Sequence, residues 1–304
     1  MTYQFKKLGV DRYLVWDLLR EIDPYYLNHH LFDTDMTAVE NDRDMRRKAG
    51  KTVPSYVSYA LAAYSRTLAE FPELNSYLRV YPLTRLAVYD GVDVALTIER
   101  HWNDRRIVLL ALLRNAQTRS VDEIHEFLRH RRDDPLESLD EFNRYKSLLR
   151  LPGFCRWYLF QLFCKPFPSI MRQIVGTTAF TSVGRFGTTF TTPLSPRTCT
   201  LSLGKVEVRP RVTNAPESVS SANSPEKCVP SGAFSPTTGG PDAHHRENTG
   251  SQAIAAAQTS ASGSPLRAAL SVWLTLTYDH RIADGADIAR AGDALRNRLE
   301  HWKK

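Results

Sequence analysis

Apolar residues recur along the chain at two spacings, and these spacings predict where helices and strands lie. From residue 54 to residue 71 they fall every three or four positions, which is the pattern of one buried helix face. Pro72 ends this helix because proline cannot continue its hydrogen bonds. Ser120 and Glu123 are spaced as a capping box that opens another helix. The further helices are predicted at residues 120–131, 137–150, 154–174 and 287–302.

Shorter apolar or alternating runs predict strands between these helices. The run at residues 106–113 is almost continuously apolar, which is typical of a buried strand. Helices and strands that do not alternate strictly predict an α/β fold in which helices pack on a sheet. The strands are predicted at residues 77–80, 85–89, 92–98, 106–113, 198–208 and 268–278.

The last two strand segments flank a long stretch of a different composition. Residues 213–265 are dominated by Ser, Pro, Thr, Ala, Gly and Asn, with almost no large aliphatic side chain. Such a segment buries too little apolar surface to offset the entropy lost on ordering, so we expect it to be disordered. We therefore predict a single domain over residues 1–304, interrupted by a disordered insertion at 213–265.

Composition narrows the class of protein only slightly. The formal charge of +7 suits an anionic ligand such as CoA, or a nucleic acid, but the basic residues are mixed with acids as on a solvated helix face. No apolar run reaches the ~20 residues of a membrane helix, and no nucleic-acid-binding module is recognisable. The four cysteines lack a paired metal-ligand spacing. We expect a cytoplasmic protein with no metal and with neither a membrane nor a nucleic acid as partner.

The strongest candidate for chemistry is His280, which follows the last predicted strand and precedes the last predicted helix. Histidine exchanges protons near neutral pH, so it can remove a proton from a thiol and return one to a leaving thiolate. Asp284 can accept hydrogen bonds from Arg281 or from backbone groups, and Gly285 permits a close approach or a positive φ. Considered alone, a histidine beside aspartates is more often part of a satisfied polar turn.

The segment 279–285, with the sequence DHRIADG, resembles the DHRxxDG signature of the dihydrolipoamide acyltransferases, the acyl-transferring components of 2-oxoacid dehydrogenase complexes. It is also similar to the HxxxDG motif of chloramphenicol acetyltransferase. Several other segments resemble the same family in the same order along the chain. They are residues 30–37, 54–75 with the phrase FPELN, 92–116 with LLRNA, 178–187 with TAFTSVGRFG, and 201–204 with LSLG.

The resemblance implies a chloramphenicol-acetyltransferase-like fold, which has two layers, a mixed sheet and packed helices, assembled as a trimer with active sites between subunits. It also implies that acyl-CoA and an acceptor meet in a channel. His280 would deprotonate the acceptor, which attacks the thioester directly, and Asp284 would orient the loop through Arg281. A hydroxyl of Thr181 or Ser182 would stabilise the oxyanion; the alignment leaves the choice between them open.

The resemblance also implies that Asp279, Arg281 and Gly285 support the shape of the loop.

The chain departs from the family in two respects. We expect no lipoyl domain, so lipoamide would have to be supplied in trans by another chain. Residues 131–176 are also longer and more aromatic than the family's equivalent. Packing of this segment against the sheet or a trimer neighbour is favoured over a role in lining an acyl pocket or an apolar tunnel. The aromatic residues are Phe154, Trp157, Tyr158, Phe160, Phe163 and Phe167.

Three functions are compatible with these observations. The first is a standalone acyltransferase that moves an acyl group between a CoA thioester and a thiol or another small or carrier acceptor. The second is the acyltransferase component of a 2-oxoacid dehydrogenase complex that uses a lipoyl domain from another chain. The third is a non-catalytic trimeric scaffold, which the intact His280, Asp284 and Gly285 argue against.

Overall fold

The computed structural model describes residues 17, 19–22, 25–80, 83–103, 105–212 and 266–303. The chain divides into two units, residues 1–207 with 270–304, and residues 208–269. The predicted insertion at 213–265 lies outside the described residues, so its disorder stays a prediction. In the described part no helix is long and apolar enough to cross a bilayer.

The helices and strands alternate irregularly along the chain, as the sequence predicts. They are β1 (Leu27–Asp35), α1 (Thr37–Lys48), α2 (Tyr56–Glu70), β2 (Ser76–Arg79), β3 (Arg85–Val88), β4 (Val94–Trp102), β5 (Arg105–Leu113), α3 (Val121–Asp133), α4 (Asp140–Arg150), α5 (Gly153–Leu159), a π-helical turn (Phe160–Cys164), α6 (Pro168–Val175), β6 (Thr178–Ser182), β7 (Cys199–Leu203), β8 (Glu207–Val212), β9 (Leu266–Asp279) and α7 (Gly285–Glu300).

The main sheet is mixed. Its strands lie in the order β1-β9-β7-β6-β4-β5, β8 pairs with β9, and β2 and β3 form a separate ribbon. The pairs β4–β6 and β6–β7 are parallel, whereas β1–β9, β7–β9 and β4–β5 are antiparallel. This order puts β9, the strand that ends at the candidate histidine, beside β1 and β7.

Helices α2, α3 and α7 bury one face of this sheet. Apolar side chains of the three helices form a single cluster with alternate residues of the strands, because successive strand residues point to opposite faces. Packing between α7 and β1 is especially close: a Cβ built on Gly292 would lie 1.9 Å from the Phe32 ring. The core includes Tyr59, Leu61, Ile124, Leu201, Leu274 and Ile288, each fully buried.

Three elements differ from the predictions. Residues 154–174 do not form one helix, because the chain leaves the π-helical turn at Lys165 and α6 begins at Pro168, where proline is tolerated at the first helical position. Residues 198–208 form two strands separated by Gly204, whose Cβ would collide with the Thr189 carbonyl oxygen. Helix α1 was not predicted, since only Val39 and Asp42 of its residues are buried.

Candidate active site

His280 lies in the turn directly after β9, and its side chain is exposed. Its backbone N–H donates to the carbonyl of Tyr26 over 2.8 Å, which ties the turn to the segment that precedes β1. The imidazole ring lies 5.8 Å from the Tyr278 ring. Among the described residues no side-chain hydrogen bond occupies the ring nitrogens, so the imidazole is available to a ligand.

An ion pair between the buried Asp279 and the solvent-accessible Arg281 holds the turn in shape. Asp279 is fully buried, and its carboxylate accepts hydrogen bonds from the Arg281 backbone N–H over 3.1 Å and from Arg281 Nε over 2.9 Å. The Arg281 guanidinium also lies 5.0 Å from the centre of the Tyr25 ring. The Asp279 N–H donates to the carbonyl of Thr198, which anchors the pair to β7. Residues on either side of His280 therefore bond to each other and fix its backbone.

The predicted partnership between Asp284 and Arg281 is wrong. Arg281 is held by Asp279, whereas Asp284 is the N-cap of α7 and accepts from the N–H groups of Ala286 over 2.9 Å and Asp287 over 3.0 Å. These backbone hydrogen bonds, the strongest from Asp287, lower the pKa of Asp284. Asp284 thus orients the loop through the start of the helix, the second of the two roles that its position allows.

Gly285 is not required for a positive φ, because it begins α7 in ordinary helical conformation. A Cβ at this position would lie 3.6 Å from the His30 ring, which is a normal contact. Neither of the two roles predicted for this glycine is therefore found among the described residues.

The exposed side of His280 opens on a shallow cleft. The cleft has a volume of about 480 Å³ and is lined by Tyr26, Leu27, Asn28, His280 and Arg281. A cleft of this size holds a small ligand or one end of a larger one.

Thr181 and Ser182 lie at the end of β6 and are both half-buried. In the register of the sheet, Thr181 lies opposite Ser202, and Ser202 lies opposite Thr275 of β9. His280 is five residues beyond Thr275 and two strands away from β6. With the standard strand rise and strand spacing, this offset corresponds to about 19 Å between the backbones of His280 and Thr181. One chain therefore does not bring His280 together with either predicted oxyanion hydroxyl.

A row of hydroxyl groups lies on the sheet face that carries Thr181, and this row was not predicted from the sequence. Thr200, Ser202 and Thr275 are each at most 2% exposed, and their hydroxyl oxygens have no hydrogen-bond partner among the described residues. On the same face His29 Nδ1 lies 2.8 Å from Thr277 Oγ1, and burial lowers the pKa of His29. The alternation of Thr and Ser with Leu in these strands was the available signal.

A second and larger cavity lies between strands β4 and β5 and the helices α4 to α6. Its volume is about 840 Å³. Of the predicted aromatic group, Trp157 and Phe160 line this cavity, and Phe160 also packs against the cluster of Tyr77 and Met171. Within one chain the predicted packing therefore holds only in part, because the other members are at least half exposed; their packing against a trimer neighbour stays a prediction. These are Phe154, Tyr158, Phe163 and Phe167.

Comparisons with known proteins identify the architecture. The sequence matches no protein-family profile and no curated protein. In solved structures, the chain is similar to the dihydrolipoamide acetyltransferase of Azotobacter vinelandii, with a TM-score of 0.59, 18% identity, and coverage of 98% of this chain and 92% of that one. The chain has the fold of a dihydrolipoamide acyltransferase catalytic core. The predicted chloramphenicol-acetyltransferase-like fold class is thereby confirmed.

Two further structures share the acyltransferase-core fold. A probable dihydrolipoamide acetyltransferase from Listeria monocytogenes has a TM-score of 0.57 and 15% identity, over 100% of this chain and 96% of that one. The cubic core of a pyruvate dehydrogenase multienzyme complex has a TM-score of 0.60 and 15% identity, over 98% of this chain and 92% of that one. In each of these three comparisons the match covers at least 92% of both chains.

Proposed function

We propose that this protein is an acyltransferase that moves an acyl group between a CoA thioester and a thiol or another small or carrier acceptor, with His280 as general base. The observation that carries the proposal is the position of His280. It is an exposed imidazole in a cleft at the end of β9, and the ion pair between the buried Asp279 and Arg281 holds its turn, on the fold of acyltransferase cores.

A similar spacing in a solved relative supports this role. In the Azotobacter vinelandii enzyme, the residues investigated for their role in the catalytic mechanism are a serine, a histidine and, four positions after the histidine, an asparagine. In this chain Asp284 follows His280 by the same four positions. We assign Asp284 the task of positioning the histidine loop through the N-terminus of α7.

The proposed reaction is a direct transfer. The imidazole of His280 takes the proton from the acceptor's thiol, and the sulfur attacks the carbonyl carbon of the acyl-CoA. A hydroxyl of Thr181 or Ser182 donates a hydrogen bond to the oxyanion, a contribution of about 2.7–4 kcal/mol. The bond from carbon to the CoA sulfur then breaks, and the leaving thiolate takes the proton back from the imidazolium.

The separation of about 19 Å within one chain favours an active site shared by two copies. We propose that His280 of one subunit faces the partner subunit's Thr181 or Ser182 in a homotrimer. The Asp279–Arg281 pair and the capped start of α7 preform the His280 loop within each chain, so assembly supplies only the missing hydroxyl.

The proposal is tested by acyl transfer from a set of acyl-CoA thioesters to thiol, amine and alcohol acceptors. We expect His280→Ala to lower kcat/KM about 100-fold to 10,000-fold, the usual contribution of a general base. His301→Ala, which removes an exposed histidine at the end of α7, serves as the matched control and keeps the wild-type rate. Full activity of His280→Ala would contradict the proposal.

The acceptor is tested in the same assay. We propose a small or carrier thiol, and free lipoamide and a lipoylated domain added in trans are compared with simple thiols. A strong preference for the lipoylated domain would place the chain in a 2-oxoacid dehydrogenase complex instead of a standalone reaction. If no acceptor supports turnover, the remaining interpretation is a non-catalytic scaffold.

A further inference from the structure

Arg197 is a buried cation in the turn before β7. Only 8% of the residue is exposed, and its guanidinium donates to two backbone carbonyls, those of Pro196 and Val175, the latter over 2.9 Å. Its Nε has no hydrogen-bond partner in the described part of the chain. A guanidinium offers five N–H donors and carries its charge at every physiological pH, so two carbonyls leave it incompletely satisfied.

No carboxylate of the described residues lies within ion-pair distance of Arg197. Four carboxylates line the same cavity, but each is already paired with another cation. The pairs are Asp17 with Arg156, Glu21 with Lys165, Glu99 with Arg185 and Glu141 with Arg131. Two other unpaired cations line the cavity, Arg106 and Arg144, and both are exposed to solvent. Arg197 is therefore the one buried cavity cation in the described chain that lacks a countercharge.

Three tyrosines influence this guanidinium electrostatically without neutralising it. Burial lowers the pKa of Arg197, against an opposing influence of Tyr25, Tyr89 and Tyr77. Tyr77 donates its hydroxyl proton to the Lys165 carbonyl over 3.0 Å, and Tyr89 donates to the Pro168 carbonyl over 2.9 Å. The hydroxyl groups of Tyr77 and Tyr89 are engaged as neutral donors, and no described carboxylate pairs with Arg197, so its buried charge has no countercharge.

The space beside Arg197 suits an apolar body. The cavity of about 840 Å³ extends from Arg197 along the sheet face, and its walls are mainly aliphatic and aromatic. Such a volume holds a ligand of small-molecule size, and a buried polar group in an apolar pocket fixes the ligand's orientation. The apolar walls include Val108, Leu110, Trp157, Phe160 and Met171.

We propose that this cavity binds an organic carboxylate with an apolar body, whose carboxylate pairs with Arg197. A carboxylate accepts charge-assisted hydrogen bonds from the unfilled guanidinium donors, and the hydrocarbon part replaces water on the cavity walls. Two sources offer this chemistry, a free carboxylic acid and the terminal carboxyl of a dicarboxylic acyl group on its thioester. Binding of the free acid does not rest on the proposed acyl transfer.

Calorimetric titration of the full-length protein tests the site with octanoate and its neutral isostere octanamide. We expect octanoate to bind about tenfold to hundredfold more tightly, the range that a charge-assisted buried hydrogen bond provides. Arg197→Met is expected to abolish this preference and to fold, since it removes a buried charge without a countercharge. Arg197→Gln, which keeps a hydrogen-bond donor, tests the same loss if the first variant does not fold.

Arg106→Met is the matched control, because it removes an exposed arginine from the same cavity. It should keep the preference for octanoate within about twofold. Equal binding of octanoate and octanamide to the wild type would overturn the proposal. So would survival of the preference in both Arg197 variants, or its loss in Arg106→Met.

The source of the carboxylate is decided by turnover. A CoA thioester of a dicarboxylic acid is compared with the monocarboxylic thioester of equal length in wild type and Arg197→Met. A kcat/KM preference for the dicarboxylic thioester that disappears in the variant assigns the carboxylate to the acyl group. Binding of octanoate with no such preference assigns it to a free acid. Binding without turnover of any thioester supports the cavity site and contradicts only the proposed acyl transfer.

Discussion

At the scale of single residues, Asp93 connects three elements that surround the large cavity. Its side chain is 3% exposed and accepts hydrogen bonds from Arg172 Nε over 2.8 Å, the Asn115 N–H over 2.8 Å and Arg114 Nη1 over 3.0 Å. Its carbonyl accepts from the Thr177 N–H over 2.8 Å. A single carboxylate thus joins the start of β4, the turn after β5 and the end of α6.

Because of the Asp93 carboxylate, the free energy of unfolding depends on pH in the acidic range. Burial raises the pKa of Asp93, but hydrogen bonds from Arg172, Asn115 and Arg114 outweigh burial and lower it below its usual value of 3.8. Because the folded pKa lies below the unfolded one, the stabilisation is present above about pH 4 and disappears as the pH falls through the folded pKa.

We therefore expect Asp93→Asn to lower the free energy of unfolding at pH 7 by about 1.5–3 kcal/mol, since it removes the charge from the hydrogen bonds with the partly exposed Arg172 and Arg114. The difference from wild type should shrink as the pH falls below about 4. Urea denaturation at a series of pH values measures both effects. Asp133→Asn, at an exposed surface pair, serves as the control. A loss of stability that did not vary with pH would contradict this assignment.

At the residue scale, the sequence could not predict which aspartate pairs with Arg281. The pattern DHRxxDG contains two aspartates, and it was Asp284 that was expected to hold Arg281. Asp279 holds it instead, because the last residue of β9 is buried next to the guanidinium while Asp284 faces the start of α7. Sequence spacing is compatible with either pairing, and only the direction of the strand end decides between them.

At the scale of elements, two glycines of α7 make different contacts. A Cβ on Gly292 would overlap the Phe32 ring of β1, whereas a Cβ on Gly285 meets only an ordinary contact. We expect Gly292→Ala to lower the free energy of unfolding by about 1–3 kcal/mol through overpacking. Gly285→Ala should leave it nearly unchanged. Thermal and urea denaturation of the two variants provide the comparison, and equal stability would show that α7 can shift away from β1.

Regular elements were predictable where local pattern dominates. The capping box of Ser120 and Glu123 begins α3 as expected, and the apolar run before Arg114 forms β5. Helix α1 escaped prediction because it has few apolar residues. Its stability comes from contacts distant in sequence, such as the buried Asp42, which accepts from the Tyr59 hydroxyl over 2.6 Å. Contacts of this kind leave no periodic trace in the sequence.

At the scale of the whole molecule, the proposed active site requires two copies of the chain. Mixing equal amounts of His280→Ala with a Thr181→Ala/Ser182→Ala double variant should restore activity that neither variant has alone. Random assembly places an intact histidine opposite an intact hydroxyl at about one quarter of the interfaces. The measurement is turnover after joint refolding, with each variant refolded alone as control. No restoration would show that the site lies within one subunit or that these hydroxyls do not act.

The insertion at 213–265 provides a second test on this scale. The strands at its two ends, β8 and β9, pair with each other. Replacing the insertion with a short Gly-Ser linker should therefore leave the melting temperature and the turnover close to those of wild type, because loop length contributes only about 0.6 kcal/mol per doubling. Collapse of the protein on deletion would show that the segment is structural.

The assembled site was the least predictable feature, for a physical reason. Motif order along the chain indicated the fold, and it also brought His280, Thr181 and Ser182 into one proposed mechanism. Their separation by two strands and five residues follows from the sheet register, and register is set by long-range pairing. The burial of Arg197 without a countercharge likewise depends on which elements converge around it. Its neighbours in the sequence, Ser195, Pro196 and Thr198, therefore do not predict it.

The hydrogen bonds that shape the His280 turn, from Arg281 to Asp279 and from His280 to Tyr26, lie within a single chain. The turn therefore keeps its shape whether or not the chain is assembled. If transfer needs two copies, dilution separates activity from folding. Below the concentration at which subunits associate, the protein would be inactive but intact, and it would regain its rate as soon as its abundance rose. Expression level would then set the specific activity per chain as well as the total.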